Sequence, residues 1–228
     1  MVWPDSVLAV AITVAAYVIG VSVYKLANNS PLLLPLVVAS FLIAVILYYY
    51  PAHYGHYIEG SVILYYALGP ATVALAVPLY QQLPRIQEVW LPVASLLVIG
   101  SIVATALAVL IAWGLQGSEL LIKSIAAKSV TTPIAMQIAQ VSGGDATLAA
   151  AVVALTGVAG TLGAQFIFNV CDIEDPRLKG LVLGICAHAV GTAKAFEISP
   201  VAGAFSSLAL GICGVMAAFI LPIILLQL

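Results

Sequence analysis

The chain has 228 residues, of which 64% are apolar and only 7% charged, with a formal net charge of −2. Soluble domains carry roughly 25% charged residues, so an ordinary water-soluble globule is excluded. The near-neutral balance and the lack of a basic run give no footprint for nucleic acid.

Seven stretches of 16 or more residues hold no Asp, Glu, Lys or Arg: 6–24, 26–58, 60–84, 89–118, 129–144, 146–171 and 198–228. A membrane-spanning helix needs about 20 predominantly apolar residues. The expected fold is an all-α polytopic membrane protein, one integral membrane domain over 1–228. The first apolar segment lacks a basic leader and a clear small-residue cleavage site, so it reads as a retained helix. Cys171, Cys186 and Cys213 are widely spaced in apolar surroundings and read as small packing residues, with no disulfide framework or metal motif.

In chain order, helices are predicted near 4–25, 31–50, 58–82, 91–114, 119–141, 146–170, 177–197 and 200–227. Capping chemistry sets several starts: Ser30-Pro31, Ser118, Asp145, Asp175-Pro176 and Ser199-Pro200. Asp145 and Asp175 are therefore read as caps, not catalytic carboxylates. Three segments make poor continuous spans. Gly69-Pro70 and Pro78 interrupt 58–82. Lys123, Lys128 and Thr131-Thr132-Pro133 interrupt 119–141, and His188, Gly191, Thr192 and Lys194 interrupt 177–197. Broken helices are tolerated at membrane depth only where protein or a watery cavity satisfies the freed backbone groups.

Basic loop residues tend to lie on the cytoplasmic side. Placing Lys25, Arg85, Arg177 and Lys179 there requires a single crossing between Glu119 and Arg177. The expectation is about six full spans plus one or two re-entrant or broken helices, with seven or eight plain spans as the alternative. Ala67, Thr72, Ala76 and Gln81 match Ala126, Thr131, Ala135 and Gln140 at an offset of 59 residues. This suggests an internal repeat, a common feature of transporter bundles.

Ionisable residues inside a membrane are costly, and each is a functional hypothesis. Lys128 lies in AAKSVTTPIAMQIAQ, directly before a helix break, with the hydroxyls of Ser129, Thr131 and Thr132 beside it. A positive charge next to exposed helix N–H groups suits a small carboxylate. The plain alternative is a snorkelling Lys128 with threonines bonded back to their own helix. His188 and Thr192 are i,i+4 with Gly191 between them, in a position to bind an anion or relay a proton. The alternative is a hydrogen-bonded interior histidine. Lys194 belongs either to the same cluster or to a surface ion pair with Glu197. Thr72, beside Gly69-Pro70, completes the candidate substrate set, with Pro133 and Gly191 as further break points. Gly157, Gly160, Gly163, Gly180 and Gly184 read as close helix contacts. Tyr48, Tyr49, Tyr50, His53, Tyr54, His56 and Tyr57 read as an interfacial belt. No metal cluster, nucleophile elbow or phosphate loop is present, so neither an enzyme nor a cofactor is expected.

KSVTTPIA at 128–135, GPATVALAVPLY at 69–80, AHAVGTAKA at 187–195 and GAFSSLALG at 203–211 resemble the LrgB/CidB family. The resemblance covers about 31–227. It implies a multi-pass protein of the bacterial inner membrane, paired with a small LrgA/CidA-type membrane protein, with a homo-oligomer also possible. Members are described as antiholin-like modulators of murein hydrolase activity and autolysis. A related chloroplast protein is a glycolate/glycerate translocator, and some bacterial pairs are implicated in pyruvate uptake. Ala127, Ala187 and Lys194 stand where the family commonly has Pro, Ser and Arg. Three readings follow: a monocarboxylate transporter, a regulator working through a partner, and a passive scaffold. The buried charges argue against the scaffold.

Overall fold

A computed structural model describes residues 3–227, apart from the side chains of residues 3–5, Pro31, Ala52 and Thr72. The described residues form helices joined by turns and short loops and contain no strand. They form two compact units, divided after Ala74.

In the first unit, α1 (Trp3–Leu26) and α2 (Pro35–Tyr49) pack together, followed by α3 (Tyr54–Gly60) and α4 (Val62–Ala74). Gly20 of α1 touches α2 directly, since a Cβ there would lie 2.6 Å from the Pro35 carbonyl oxygen. Thr13 of α1 and Tyr57 of α3 share a hydrogen bond of 2.9 Å. Ser30 makes no capping bond, and a short turn at Pro31–Leu33 precedes the helix, which starts at Pro35 instead of Pro31. The break expected at Gly69-Pro70 is absent, because α4 runs through both residues. A proline removes one backbone donor without obliging a helix to stop, and the chain is interrupted at Ser61 and Leu75 instead.

The second unit contains α5 (Ala76–Gln81), α6 (Leu83–Glu88), α7 (Trp90–Gly114), α8 (Glu119–Ile125), α9 (Thr132–Ser142), α10 (Ala146–Val170), α11 (Pro176–Ile198) and α12 (Pro200–Leu225). Among the described residues, six helices or helical runs are long and apolar enough to cross a membrane: Ser6–Leu26, Tyr54–Gln81, Trp90–Gly114, Ala146–Val170, Pro176–Ile198 and Pro200–Leu225. Leu107, Leu110 and Ile111 of α7 are 53%, 59% and 61% exposed. Water would not tolerate an apolar face of this extent, whereas lipid does. The protein is a multi-pass membrane protein.

Two segments of the second unit do not cross. At 11 residues, α9 is about 17 Å long, far short of a hydrocarbon core of about 30 Å. The stretch it belongs to also closes on itself, because the Asp145 N–H donates to Ser124 Oγ at 2.8 Å. Gly144 fits against the same place, where a Cβ would meet the Ser124 nitrogen at 2.9 Å. Residues 124–145 are thus a re-entrant hairpin, as expected for 119–141. Replacing Ser124 with Ala removes this clasp and is expected to cost about 1 kcal/mol, read as a lower thermal midpoint in detergent.

The second is α11, whose 23 residues would suffice for a span if they were straight. They are not. His188 has φ 39° and ψ −122°, and the chain reverses there. Before the break, Gly180 rests on the Ala202 carbonyl and Gly184 on the Ser206 carbonyl, so this arm runs parallel to α12. After it, Thr192 bonds Ser206 while Phe196 covers Gly203, so the second arm runs antiparallel to α12. Because the first arm and α12 run the same way, the chain must return to its starting face between them, and the second arm makes that return. Gly191 lies against the Leu183 carbonyl across the fold. The break is therefore at His188 rather than at Gly191. Gly191 is helical, and its missing Cβ lets the arms touch.

Between the hairpins, α10 crosses from the Asp145 face to the Asp175 face, and α12 crosses back. All four caps expected in this unit form: Ser118 to the Leu121 N–H, Asp145 to Leu148, Asp175 to Arg177 and Ser199 to Ala202. The hydrogen-bonded Arg177 guanidinium holds the Asp175 carboxyl below the usual carboxylate range. Arg85, Glu88, Asp175 and Arg177 line one pocket, so they share a face. The opposite face carries Lys123, paired with Glu119. By charge bias the Asp175 face is expected to be the cytoplasmic one. In a background without native cysteines, Thr147→Cys is expected to label only from outside and Glu174→Cys only from the cytoplasm. Labelling of both from one side would overturn the single crossing by α10.

Candidate functional site

The two re-entrant tips pack on the same stretch of α10. Ala126, Ala127 and Val130 of the first tip share an apolar cluster with Ala149 and Val153 of α10 and with Leu221 and Leu225 of α12. At the second tip, His188 Nε2 lies 3.0 Å from the Val153 carbonyl oxygen. A carbonyl can only accept, so the Nε2–H donates, and in the neutral form of the ring Nδ1 is then an acceptor. Gly157 makes room for the imidazole, since a Cβ would approach its Cε1 to 2.9 Å. Gly160 does the same for the Cys186 carbonyl, at 2.6 Å. These glycines are helix contacts, as their spacing implies, and what they contact is the break itself.

Lys128 is partly buried, and its Nζ donates to Ser129 Oγ at 3.2 Å. Lys128 lies in the turn between Ala127 and Val130, which pack in one cluster with Val153, the residue whose carbonyl His188 bonds. The first tip, with Lys128 and Ser129, and the second, with His188, therefore lean on one stretch of α10. Thr131 is the residue preceding α9, with extended backbone and no capping bond from its side chain. Thr132 and Pro133 form the first turn of α9, so the break precedes Pro133, whose missing N–H falls where helices have none to satisfy. The hydroxyl of Thr192 is already engaged, donating to the His188 carbonyl at 2.8 Å and lying 2.9 Å from Ser206 Oγ. It supports the break from behind. Lys194 is bound to Glu197 at 2.8 Å, on the returning arm. Gly69, Pro70 and Thr72 belong to the first unit, and the Thr72 side chain lies outside the described residues.

Three contributors escaped the sequence reading: Val153, which anchors the imidazole, Ser206, and Cys186. The expectation that the cysteines are packing residues holds for buried Cys213 alone. All three thiols are free, and Cys171 and Cys186 are exposed. A missed signal was present in the sequence. At an offset of 60 residues, Ile125, Ala127, Val130, Thr132, Ala135 and Ile138 match Ile185, Ala187, Val190, Thr192, Ala195 and Ile198. This register places Lys128 on His188, tip on tip, which the offset of 59 did not.

The backbone at His188 is a left-handed conformation that a side chain makes costly and glycine adopts freely. His188→Gly is therefore expected to keep the fold while deleting the imidazole, whereas His188→Ala keeps the strain and loses the anchor. Thermal midpoints should rank Gly at or above Ala. The reverse order would mean that the conformation is not held in solution.

The LrgB-like family model matches residues 13–226. The chain belongs to the LrgB-like family. It is 31% identical over 215 residues to antiholin-like protein LrgB of Bacillus subtilis, covering 94% of this chain and 93% of that one. It is 33% identical over 223 residues to the uncharacterized protein YwbG of the same organism, with 96% and 97% covered. Antiholin-like protein LrgB of Bacillus mycoides is 30% identical over 214 residues, with 93% of each chain covered. No solved structure matches the chain.

Proposed function

We propose that this protein carries small monocarboxylates, of the glycolate, glycerate or pyruvate class, across a bacterial cytoplasmic membrane. One observation carries the proposal: the two broken hairpins that bear Lys128 and His188 pack on one stretch of α10, around Val153, within a bundle of apolar helices. A lysine and a histidine at such depth are expensive to keep unless a ligand uses them. In this reading the Lys128 ammonium neutralises the carboxylate, and Ser129, Thr131 and Thr132 supply donors at the start of α9. His188 Nδ1 accepts from a substrate hydroxyl or relays a proton. Thr192 positions the break without touching substrate. The test is uptake of labelled glycolate, glycerate and pyruvate into proteoliposomes holding this chain, beside its Lys128→Met variant. Saturable uptake is expected for at least one acid. No uptake of any of them, alone or with an LrgA/CidA-type partner added, overturns the reading.

The names of the relatives favour a second reading more directly than the first. Two of the three relatives above are called antiholin-like, which supports a regulator of autolysis acting with an LrgA/CidA-type membrane partner. In that case Lys128→Met would alter lysis timing while no carboxylate crosses.

A further inference from the structure

We propose that the two hairpins are the two gates of one pathway, each opening toward the face from which it enters, with Lys128 and His188 as equivalent tip residues between them. What passes rests on the transport reading above, whereas the arrangement of the gates rests on geometry alone. The first hairpin opens at Ser124 and Asp145 and leads into α10, which crosses to the other face. The second opens at Asp175 and Ser199 and leads into α12, which crosses back. Hairpin then span, followed by hairpin then span of opposite direction, is an inverted repeat. Such repeats place binding sites where their broken helices meet. The 60-residue register supports common descent of the tips, matching six of the 14 positions from 125–138 to 185–198, among them Thr132 with Thr192.

Each hairpin has ordered helix ends at its open side and is irregular at its tip. The Ser124–Asp145 bond fastens the open end of the first, and Asp175 and Ser199 cap the helices that begin at the open end of the second. At the first tip, residues 126–131 are turns rather than α-helix, and at the second His188 is strained. Motion confined to a tip therefore breaks few helical bonds and leaves α10 and α12 in place. Because both tips lean on one stretch of α10, around Val153 and Gly157, withdrawing either exposes the same residues to a different side.

The experiment uses membrane vesicles of both orientations and a membrane-impermeant sulfonated methanethiosulfonate. The reporters are Ser129→Cys in a background free of native cysteines, and the native thiol of Cys186 with Cys171 and Cys213 removed. Ala189→Cys repeats the second measurement at an exposed neighbour. Ser129→Cys is expected to react at least tenfold faster from the Asp145 side, and Cys186 and Ala189→Cys at least tenfold faster from the Asp175 side. Reaction of both tips from one side, equal rates from both sides, or no reaction at either tip would overturn the proposal. The labelling does not depend on uptake, so a chain that carries no carboxylate yet labels in this pattern refutes the transport reading and keeps the gates.

Discussion

Lys128→Met is expected to abolish saturable carboxylate uptake while leaving the thermal midpoint in detergent unchanged. Methionine matches the lysine stem in length and apolar character, so the packing around the first tip survives. What goes is the charge. A hydrogen bond to a charged partner contributes roughly 1.5–3 kcal/mol, so substrate affinity should fall roughly 10- to 150-fold. The partner groups left behind, Ser129 Oγ and the start of α9, bind an anion poorly without the ammonium. Lys128→Arg restores charge in a larger planar group and should recover part of the binding. Uptake unchanged in Lys128→Met would remove Lys128 from the site. A fallen midpoint would show a structural role instead.

Gly184→Ala is expected to destabilise the protein severely, and Gly163→Ala to stabilise it slightly. Both are glycines inside apolar helices, and nothing in their local sequence separates them. A Cβ on Gly184 would lie 2.5 Å from the Ser206 carbonyl oxygen and 2.6 Å from the Ala209 Cβ, whereas one on Gly163 meets nothing within 4 Å. The first contact is against backbone, which has no rotamer to yield. Forcing a methyl into such a seam costs typically 1–3 kcal/mol or more. It also pushes the first arm of α11 off α12, so uptake should fall with stability. At Gly163 only the helix-propensity gain remains, about 0.5–1 kcal/mol. Thermal midpoints of the two variants decide this, and equal shifts would contradict the arrangement of α11 against α12.

The second hairpin shows where reading the chain reached its limit. His188, Gly191, Thr192 and Lys194 marked 177–197 as a poor span, and the chain does break there. The kink was expected at Gly191, however, whereas it is the backbone of His188 that turns the chain. No rule of local propensity assigns a left-handed conformation to histidine, because surrounding packing enforces it against an intrinsic cost. Gly69-Pro70 erred the other way: a strong local breaker that the helix simply continues through.

Composition alone determined that this is a helical membrane protein, because a bilayer admits few ways to satisfy a backbone in so apolar a chain. The capping residues at 118, 145, 175 and 199 determined where α8, α10, α11 and α12 begin, since a cap bonds N–H groups only two or three residues away. The charge bias of the loops determined that one of the segments after Glu119 turns back. Only the tertiary structure decided that the hairpins bearing Lys128 and His188, 60 residues apart, pack on one stretch of α10. Such a meeting depends on backbone approach at Gly157, Gly160, Gly180 and Gly184. A glycine gives the same local signal wherever it stands, and what it makes room for lies elsewhere in the chain.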